Sequence, residues 1–276
     1  MKKKILALFL SAITVASLAA CGGGKATPES RAAGESTVEK SEGAQSNDNA
    51  QGVAVINDGK LIVATNAEFP PYEYHEENKI VGIDIDIADA IAKKMGLELE
   101  IEDIAFDSVI LEVTSGKADI GMAGISATEE RKQSVDFSDT YTTTTQLVIV
   151  KEDSAIAKAD ELEGKTIGVQ TGTTGDILAS DIKDATVERY SKGMDAVQAL
   201  SQGKIDAVVI DSEVAKRFVS DNTGLKLLDK AYATEEYAIA VKKGNTEMLN
   251  AINKALADLK ADGTVDKIIA KYIKAE

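Results

Sequence analysis

The strongest constraint on this chain is the alternation of short buried apolar runs with amphipathic helical stretches after residue 53. Strands are predicted at 60–65, 97–101 and 118–123, and a helix at 106–115. We also expect a short extended stretch at 82–85. Strand–helix–strand order favours parallel sheets with right-handed crossovers. The pattern therefore predicts an α/β fold.

Helix boundaries follow from capping signals. Asp84 or Asp86 is expected to cap a helix that runs through Lys94 and ends before a glycine. Near the C-terminus, Thr246 and Thr264 are expected to cap two further helices, which an Asp-Gly pair separates.

The strand–helix pattern recurs in the second half, with strands at 165–170 and 205–210 and a helix at 194–201. The sequence Gly-Lys-x-Asp occurs at a predicted helix-to-strand turn in each half, at 116–119 and 203–206. This weak internal repeat indicates two similar lobes, although chance similarity between such turns is the alternative.

The first fifty residues have the order of a secreted lipoprotein. Three lysines precede an apolar run at 5–16, which is shorter than the ~20 residues that span a bilayer. The run leads into Leu-Ala-Ala-Cys, so 1–20 is predicted to be a lipoprotein signal peptide and Cys21 the acylated residue. Residues 21–52 are polar and glycine-rich, which predicts a flexible tether. The alternatives are an ordinary secretory signal and a cleaved propeptide.

Composition narrows the function. The formal net charge is −15, which disfavours binding to nucleic acid. Cys21 is the single cysteine, so no disulfide can form within the chain and no CxxC site exists. We expect no metal, no cofactor and no later segment that crosses a membrane.

In open α/β sheets, ligands bind at the carboxyl ends of strands. The segments that follow the predicted strands are 66–72, 124–131, 171–175 and 211–212. They offer hydroxyls, glycine amides, Arg131 and Asp211, which are groups suited to a zwitterion: Arg binds a carboxylate with two parallel hydrogen bonds and Asp pairs with an ammonium. Alternatives stay open, since Arg131 could be a solvated charge, Asp211 a helix cap, and Phe69 and Phe106 core residues.

A resemblance to a known family rests on these same segments. The chain resembles the bacterial extracellular solute-binding proteins of family 3, the polar amino-acid-binding subunits of ABC importers. The matching pieces are ATNAEFPPYE at 64–73, VGIDID at 81–86, GISATEER at 124–131, VDFSD at 135–139, GKTIGVQTGTT at 164–174 and DGT at 262–264. One departure is Ile-Leu-Glu at 110–112, where the family usually has Ile-Pro-Ala.

The resemblance implies two Rossmann-like lobes joined by two crossover strands, the periplasmic-binding-protein type II fold. Lobe 1 would comprise 53–142 plus 235–276, and lobe 2 would comprise 143–234. The ligand-binding residues that it implies are Arg131 with Ser126 and Thr174 for the carboxylate, Asp211 with Ser126 and the Gly124 carbonyl for the ammonium, Phe69 and Phe106 beside the side chain, and Asn66, Gln170 and Ile210 for choosing it.

The expected function is capture of an amino acid for delivery to a membrane permease and its ATPase. The expected form is a monomer that a lipid anchors to the extracellular or periplasmic face of the cell membrane. The three selectivity positions carry no charge, which favours a neutral ligand such as Gln, Ser, Thr, Met or cystine. The alternatives are a ligand-sensing subunit and a prephenate or arogenate dehydratase-like enzyme, for which only His75 and Glu68 offer acid groups.

Overall fold

A computed structural model of the protein describes residues 53–274. The predicted signal peptide, Cys21 and the predicted tether therefore lie outside the described residues. Between residues 53 and 274, no helix has both the length and the hydrophobicity needed to cross a membrane.

The described chain alternates strands and helices. The strands are β1 (Lys60–Thr65), β2 (Glu68–Phe69), β3 (Glu73–Glu76), β4 (Lys79–Val81), β5 (Glu98–Asp103), β6 (Ile120–Gly121), β7 (Val135–Phe137), β8 (Thr142–Lys151), β9 (Thr166–Gln170), β10 (Thr186–Tyr190), β11 (Ala207–Asp211), β12 (Leu225–Leu227), β13 (Ala233–Tyr237) and β14 (Ala240–Lys242). The helices are α1 (Ile83–Lys94), α2 (Val109–Ser115), α3 (Thr174–Ser180), α4 (Gly193–Ser201), α5 (Ser212–Asp221), α6 (Thr246–Ala261) and α7 (Thr264–Tyr272).

Two main sheets organise these elements, which confirms the α/β prediction. The first has the order β5-β1-β6-β14-β7, and the second the order β10-β9-β11-β8-β12 with β13 also paired to β8. The core pairs β5-β1-β6 and β10-β9-β11 are parallel, whereas β14 and β8 run antiparallel to their neighbours. The parallel pairing predicted from strand–helix–strand order therefore holds for these core pairs, and each complete sheet is mixed. A small antiparallel sheet, β2-β3-β4, completes the fold.

Both faces of the first sheet are covered, which explains the continuous apolar run of β1. Leu61 and Val63 pack in the cluster that contains the buried face of α1. Ile62 and Ala64 alternate with them and pack in a second cluster with Val109 of α2. A strand buried on both faces loses the polar alternation of a surface strand.

The Gly-Lys-x-Asp repeat has the same structural role in both halves. Asp119 Oδ2 accepts a hydrogen bond from the backbone N–H of Ile62 at 2.8 Å, and Asp206 Oδ2 accepts one from Thr166 N–H at 2.8 Å. Each aspartate thus joins the start of one strand to the neighbouring parallel strand, β1 or β9. The glycines of the two motifs have φ of 76° and 69°, in the left-handed region. These matching contacts favour a structural repeat over chance similarity.

The start of α1 differs from the prediction. Residues 82–85 are not extended, because α1 begins at Ile83 with Gly82 before it. Gly82 has φ of 138°, and a Cβ there would lie 2.0 Å from the carbonyl oxygen of Tyr72. Only glycine permits this close approach between helix and loop. Asp84 does not cap the helix, since its Oδ2 accepts the Gly124 N–H at 2.8 Å instead.

The other predicted caps also shift. Asp86 lies inside the first turn of α1. Asn245 caps α6 by accepting the N–H of Met248 at 3.1 Å, so Thr246 is the first helical residue and not the cap. Thr264 is likewise the first residue of α7. Asn and Asp side chains cap helices as well as Ser and Thr side chains do. Sequence spacing alone therefore does not show which of two neighbouring candidates is the cap.

The chain passes between the two sheets at β8 and again after β13. β8 follows β7 of the first sheet and pairs with β11 and β12 of the second. β13 pairs antiparallel with the first half of β8, from Thr142 opposite Tyr237 to Gln146 opposite Ala233. The strand that follows, β14, returns to the first sheet. Two antiparallel strands thus connect the halves of the molecule.

Two carboxyl groups, at the start of β3 and in the first turn of α1, are buried together. Glu73 and Asp84 are both fully buried. Asp84 Oδ2 accepts hydrogen bonds from Gly124 N–H and Tyr141 O–H, both at 2.8 Å. Two ionised carboxylates have no proton to share, and both Glu73 oxygens would then lack a partner. Burial and the neighbouring Asp84 raise the pKa of Glu73 well above its usual range, so Glu73 is the neutral donor of the pair.

This pair predicts a pH-dependent stability. A carboxyl whose folded-state pKa is raised binds a proton that the unfolded chain releases above about pH 4.3, so stability falls as pH rises from there. Burial raises the pKa of Asp84 to about 6, which acts in the same direction. Glu73→Gln keeps a neutral donor beside Asp84, and we expect it to raise the melting temperature at pH 7 relative to wild type and to flatten its fall between about pH 4.5 and pH 7.

Thermal unfolding followed by circular dichroism across this pH range measures the effect. Glu76→Gln is the matched control, because Glu76 lies on the same strand but is exposed. The control should follow the wild-type pH curve. An unchanged slope for Glu73→Gln would show that Glu73 is ionised in the folded protein.

Candidate ligand-binding site

A cavity lies between the two sheets, at the carboxyl ends of β1, β9 and β11. Residues from both halves and from the connecting strands line it. They are Phe69, Phe106, Gly124, Arg131, Gln146, Gln170, Thr173, Thr174, Ile210, Asp211 and Tyr237. The structure thus brings together seven of the predicted ligand-binding residues and the predicted selectivity residue Ile210, whereas Asn66 and Ser126 lie behind the lining. The roles of all of them in binding stay predictions.

Arg131 lines the cavity and contacts residues of both halves. Its Nη1 donates to the Ser126 carbonyl at 2.8 Å, and its Nη2 donates to the Gly172 carbonyl at 3.0 Å. The guanidinium lies 5.5 Å from the centroid of the Phe106 ring, a cation–π distance. Burial lowers the pKa of Arg131, but an arginine stays charged in a protein. The solvated-charge alternative does not fit, because Arg131 contacts both halves of the molecule.

Asp211 is fully buried and ends β11. Its Oδ1 accepts the N–H groups of Glu213 and Val214 and so caps α5, as the structural alternative expected. Its Oδ2 accepts the hydroxyls of Thr144 at 2.6 Å and Tyr237 at 2.9 Å. Burial raises the pKa of Asp211 to about 6, so its negative charge is lost as pH falls below that value. The residue is therefore both a cap and the buried acidic group of the cavity.

Aromatic rings form one wall. Phe69 stacks on Tyr72 with ring centroids 5.8 Å apart, and Tyr72 meets Tyr237 edge-on at 5.2 Å. Gly124 has φ of 55°, and a Cβ there would lie 3.0 Å from the Phe69 ring. The ring therefore packs directly against the glycine backbone. Phe69 belongs to the apolar core and also lines the cavity, so the core and ligand-binding alternatives for it are compatible.

Two buried amides meet beside the cavity. Gln170 Nε2 donates to Asn66 Oδ1 at 2.9 Å and contacts the Ser191 carbonyl at 3.3 Å. Asn66 Nδ2 in turn donates to the Ile104 carbonyl at 2.8 Å. This chain joins β1 of the first sheet to β9 of the second. Two of the three predicted selectivity residues, Asn66 and Gln170, are therefore neutral amides in contact with each other.

The turn after β9 contributes Thr173 and Thr174 to the cavity lining. Thr173 caps α3 by accepting the Asp176 N–H at 3.2 Å, and its own hydroxyl donates to the Gln170 carbonyl at 2.8 Å. Thr174 is the first residue of α3 and lines both the cavity and a neighbouring groove that Ser126 also lines. The hydroxyl of Ser126 donates to Glu235 Oε2 at 3.0 Å.

Sequence reasoning missed the residues that the connecting strands contribute. Gln146 of β8 and Tyr237 of β13 line the cavity, and buried Glu235 contacts Gln146. The run of polar residues at 142–146 is the one sequence signal that could have indicated Gln146. Glu235 also corrects the expectation that only His75 and Glu68 offer acid groups for a dehydratase-like enzyme. Among residues 53–274 no group of three or more His, Cys, Asp or Glu could bind a metal ion.

The two acid groups considered for an enzyme lie outside the cavity lining. His75 is exposed on β3, and its Nε2 pairs with Asp103 Oδ2 at 2.8 Å. Glu68 Oε1 pairs with Lys192 Nζ at 2.5 Å. Both side chains therefore contact a partner outside the cavity: His75 contacts Asp103, and Glu68 contacts Lys192.

These features define a class of protein. Two α/β halves connected by two strands enclose a small cavity with a cation at one side, a buried carboxylate at the other and neutral amides and rings between them. The charged groups of this cavity are opposite in sign and come from different halves of the molecule. The class is that of two-lobed binding proteins for small polar solutes.

Comparison with known proteins gives the family. Residues 61–275 match the model of the bacterial extracellular solute-binding proteins, family 3, and the chain belongs to this family. It is 34% identical over 223 residues to the arginine-binding extracellular protein ArtP of Bacillus subtilis (strain 168), covering 79% of this chain and 87% of that protein. Other curated relatives are named as a probable histidine-binding protein of Neisseria gonorrhoeae and an L-cystine-binding protein of Escherichia coli (strain K12), so these relatives are named for binding amino acids.

Solved structures show the type II periplasmic-binding-protein fold. An ancestral arginine-binding protein bound to glutamine has a TM-score of 0.73 and 43% identity, covering 79% of this chain and 99% of that one. The ancestral amino-acid-binding protein AncCDT-1, described as a precursor of cyclohexadienyl dehydratase, has a TM-score of 0.73 and 35% identity, with 78% and 96% covered. The second similarity keeps the enzyme alternative open to test.

Because Asp211 is both a helix cap and a buried charge, we expect its Ala and Asn variants to differ in unfolding free energy. Asp211→Ala removes the cap of α5 and leaves two buried hydroxyls without their acceptor, so we expect it to cost at least ~1–2 kcal/mol of unfolding free energy without ligand. Asp211→Asn keeps an accepting oxygen, since Asn and Asp cap helices about equally well. It should stay close to wild type in stability while losing the negative charge.

Urea denaturation of the ligand-free proteins measures this difference. Asn245→Ala removes a cap of similar type from α6, outside the cavity, and should cost ~1 kcal/mol without changing any property of the site. Equal stabilities for wild type and Asp211→Ala would refute the structural role.

Proposed function

We propose that the protein is the substrate-binding subunit of an ABC importer, which captures a neutral amino acid between its two halves and delivers it to a membrane permease. The observation that supports this most is the position of Arg131 and Asp211 in one cavity, one from each half. Membership of the solute-binding family supports the transport role.

The α-carboxylate of the ligand would bind at Arg131. In the described structure the two terminal guanidinium nitrogens each donate to a backbone carbonyl, Nη1 to that of Ser126 and Nη2 to that of Gly172. A carboxylate is a stronger partner than a neutral carbonyl, because charge-assisted hydrogen bonds are roughly twice as strong. A ligand carboxylate would therefore replace these contacts.

The α-ammonium would bind on the Asp211 side of the cavity. A buried carboxylate attracts a cation strongly, because little water screens the charge. Ring faces of Phe69 and Phe106 would pack on the ligand side chain, and Ile210 would provide apolar surface beside them.

The side chain of the ligand would be neutral. The Asn66–Gln170 end of the cavity offers amide donors and acceptors without charge. Nearby carboxylates are engaged by other groups. Glu68 pairs with Lys192 at 2.5 Å and Asp103 with His75 at 2.8 Å. Buried Glu235 accepts hydrogen bonds from Ser126 and Gln146. Burying a charged side chain without a free counter-charge is costly. This favours a neutral ligand even though relatives such as ArtP are named for arginine.

The two lobes would be residues 53–142 plus 235–276 and residues 143–234. This division follows the sheets, since β8 leads into the second sheet and β14 belongs to the first. Ligand that contacts both lobes would favour the closed arrangement by its differential contacts. The permease would recognise that closed form, with the protein working as a monomer.

Two alternatives differ in what they require. A ligand-sensing subunit would bind the same amino acid but signal through a receptor. A dehydratase-like enzyme would need a general acid at the cavity. Glu235 is the buried candidate there, but its Oε2 already accepts hydrogen bonds from Ser126 and Gln146.

Thermal-shift screening against the twenty amino acids and cystine, followed by calorimetry of the hits, tests the proposal. We expect the largest stabilisation from a neutral amino acid such as glutamine, serine, threonine, methionine or cystine, since binding to the folded state stabilises it by mass action. Arg131→Ala should weaken that ligand by ~3–5 kcal/mol, roughly two to four decades in Kd, because it leaves the ligand carboxylate unpaired.

Arg217→Ala is the matched control, since Arg217 is an exposed arginine that pairs with Asp221 on α5. It should bind like wild type. Strongest binding by arginine or glutamate would refute the neutral side chain but keep amino-acid binding. Absence of any hit would refute the whole proposal, and turnover of prephenate would instead support the enzyme.

We also propose that Cys21 carries the lipid that retains the protein at the outer face of the cell membrane. The basic start, apolar run and small residues before Cys21 support this. Cys21→Ser should move the protein from the membrane fraction to the soluble or secreted fraction, with unchanged amino-acid affinity. Fractionation and immunoblotting measure it, and unchanged membrane partition of the variant would refute lipidation.

A further inference from the structure

Gln146 carries a buried acceptor without a partner. The residue lies on β8, is 3% exposed and lines the cavity. Its Oε1 accepts no hydrogen bond from any of residues 53–274. A buried amide oxygen without a donor costs free energy, and native structures seldom leave one unexplained. The oxygen faces the start of α3, where a Cβ on Gly175 would lie 3.1 Å from it, next to Thr174 of the cavity lining. A donor for this oxygen would therefore come from a ligand in the cavity.

Glu235 fixes which end of the Gln146 amide is unpaired. Gln146 Nε2 donates to Glu235 Oε2 at 3.1 Å, and the same oxygen accepts the Ser126 hydroxyl at 3.0 Å. Because the amide nitrogen is the atom that contacts Glu235, the amide oxygen is directed away from it. Glu235 is itself buried and lies on β13.

Gln146 is the cross-strand neighbour of Asp211. The two residues are directly opposite in the antiparallel pairing of β8 with β11. Side chains at such positions lie on the same face of the sheet, with Cβ atoms about 4.5–5.5 Å apart. Both line the cavity. A cation that approaches Asp211 therefore also approaches Gln146.

Asp211 alone has little accepting capacity left. Its two oxygens already accept four hydrogen bonds, from two backbone N–H groups and from the hydroxyls of Thr144 and Tyr237. A carboxylate has about four lone-pair sites. An ammonium brings three N–H donors and would gain charge attraction from Asp211 but few free hydrogen-bond acceptors.

We propose that Gln146 Oε1 accepts a hydrogen bond from the α-ammonium of the ligand and that Glu235 is the positioning residue that orients the amide for it. This inference rests on the proposed function, because it assigns an additional ligand contact to the same cavity. It makes Gln146 a specificity residue that selects a free amino acid over a carboxylic acid of the same shape without the amino group.

Calorimetry with paired ligands tests this contact. The pair is the best amino acid from the screen and its des-amino analogue, which has the same side chain and carboxylate. Gln146→Met replaces the amide with an apolar side chain of similar length. We expect it to weaken the amino acid roughly 5- to 100-fold, the range for one lost buried hydrogen bond, and to change the analogue's affinity by less than about 3-fold.

Glu235→Gln tests the positioning role. A neutral amide at 235 can donate as well as accept, so the Gln146 amide would no longer have one preferred orientation. We expect the affinity ratio between amino acid and analogue to fall in this variant too. A residue that only stabilised the fold would weaken both ligands alike and leave the ratio unchanged.

Gln198→Met is the matched control, because Gln198 is exposed on α4, outside the cavity. It should keep the wild-type ratio. If wild type binds no amino acid, the proposed function fails. If wild type binds one but Gln146→Met keeps the wild-type ratio, the proposed contact is wrong. Should Gln146→Met not fold, an unchanged ratio in Glu235→Gln would overturn the inference.

Discussion

The antiparallel pairing of β8 with β13 connects the two halves of the molecule and sets what faces the cavity between them. Its backbone hydrogen bonds run from Thr142 opposite Tyr237 to Gln146 opposite Ala233. The same strand β8 then continues into the second sheet beside β11. β8 belongs both to the connection and to the second sheet. Gln146 of β8 is therefore held next to Asp211 at the end of β11, and both line the cavity.

Burial of charge is the second constraint. Asp84 and Asp211 are fully buried, and each is surrounded by donors from other elements: a backbone N–H and Tyr141 for Asp84, and two backbone N–H groups with two hydroxyls for Asp211. A buried charge is tolerated only when it is hydrogen-bonded or paired. These contacts tie α1 and α5 to the strands beside them, and in the second half they leave a negative charge at the edge of the cavity.

The cavity combines this charge with Arg131 from the first half. The closing contacts, Arg131 to the Gly172 carbonyl and Gln170 to Asn66, are weak enough individually to be exchanged for contacts with a ligand. A solute with a carboxylate and an ammonium can satisfy both halves at once, whereas a solute with one charge satisfies only one. This is the physical basis for capture by closure that we propose for this member of the family.

Much of this was predictable from the sequence. Strand β1, the end of α1, the two Gly-Lys-x-Asp turns and the polar segments after each parallel strand follow from apolar periodicity and chain order, because the carboxyl ends of parallel strands meet at one edge. Tertiary structure alone decided that the sheets are mixed, that Asp84 contacts Gly124 instead of capping a helix, and that Gln146 and Glu235 meet beside the cavity. Those last two residues are 89 positions apart. Their contact depends on strand pairing between distant segments, which no local pattern specifies, whereas the charges at the strand ends are local consequences of the order of residues.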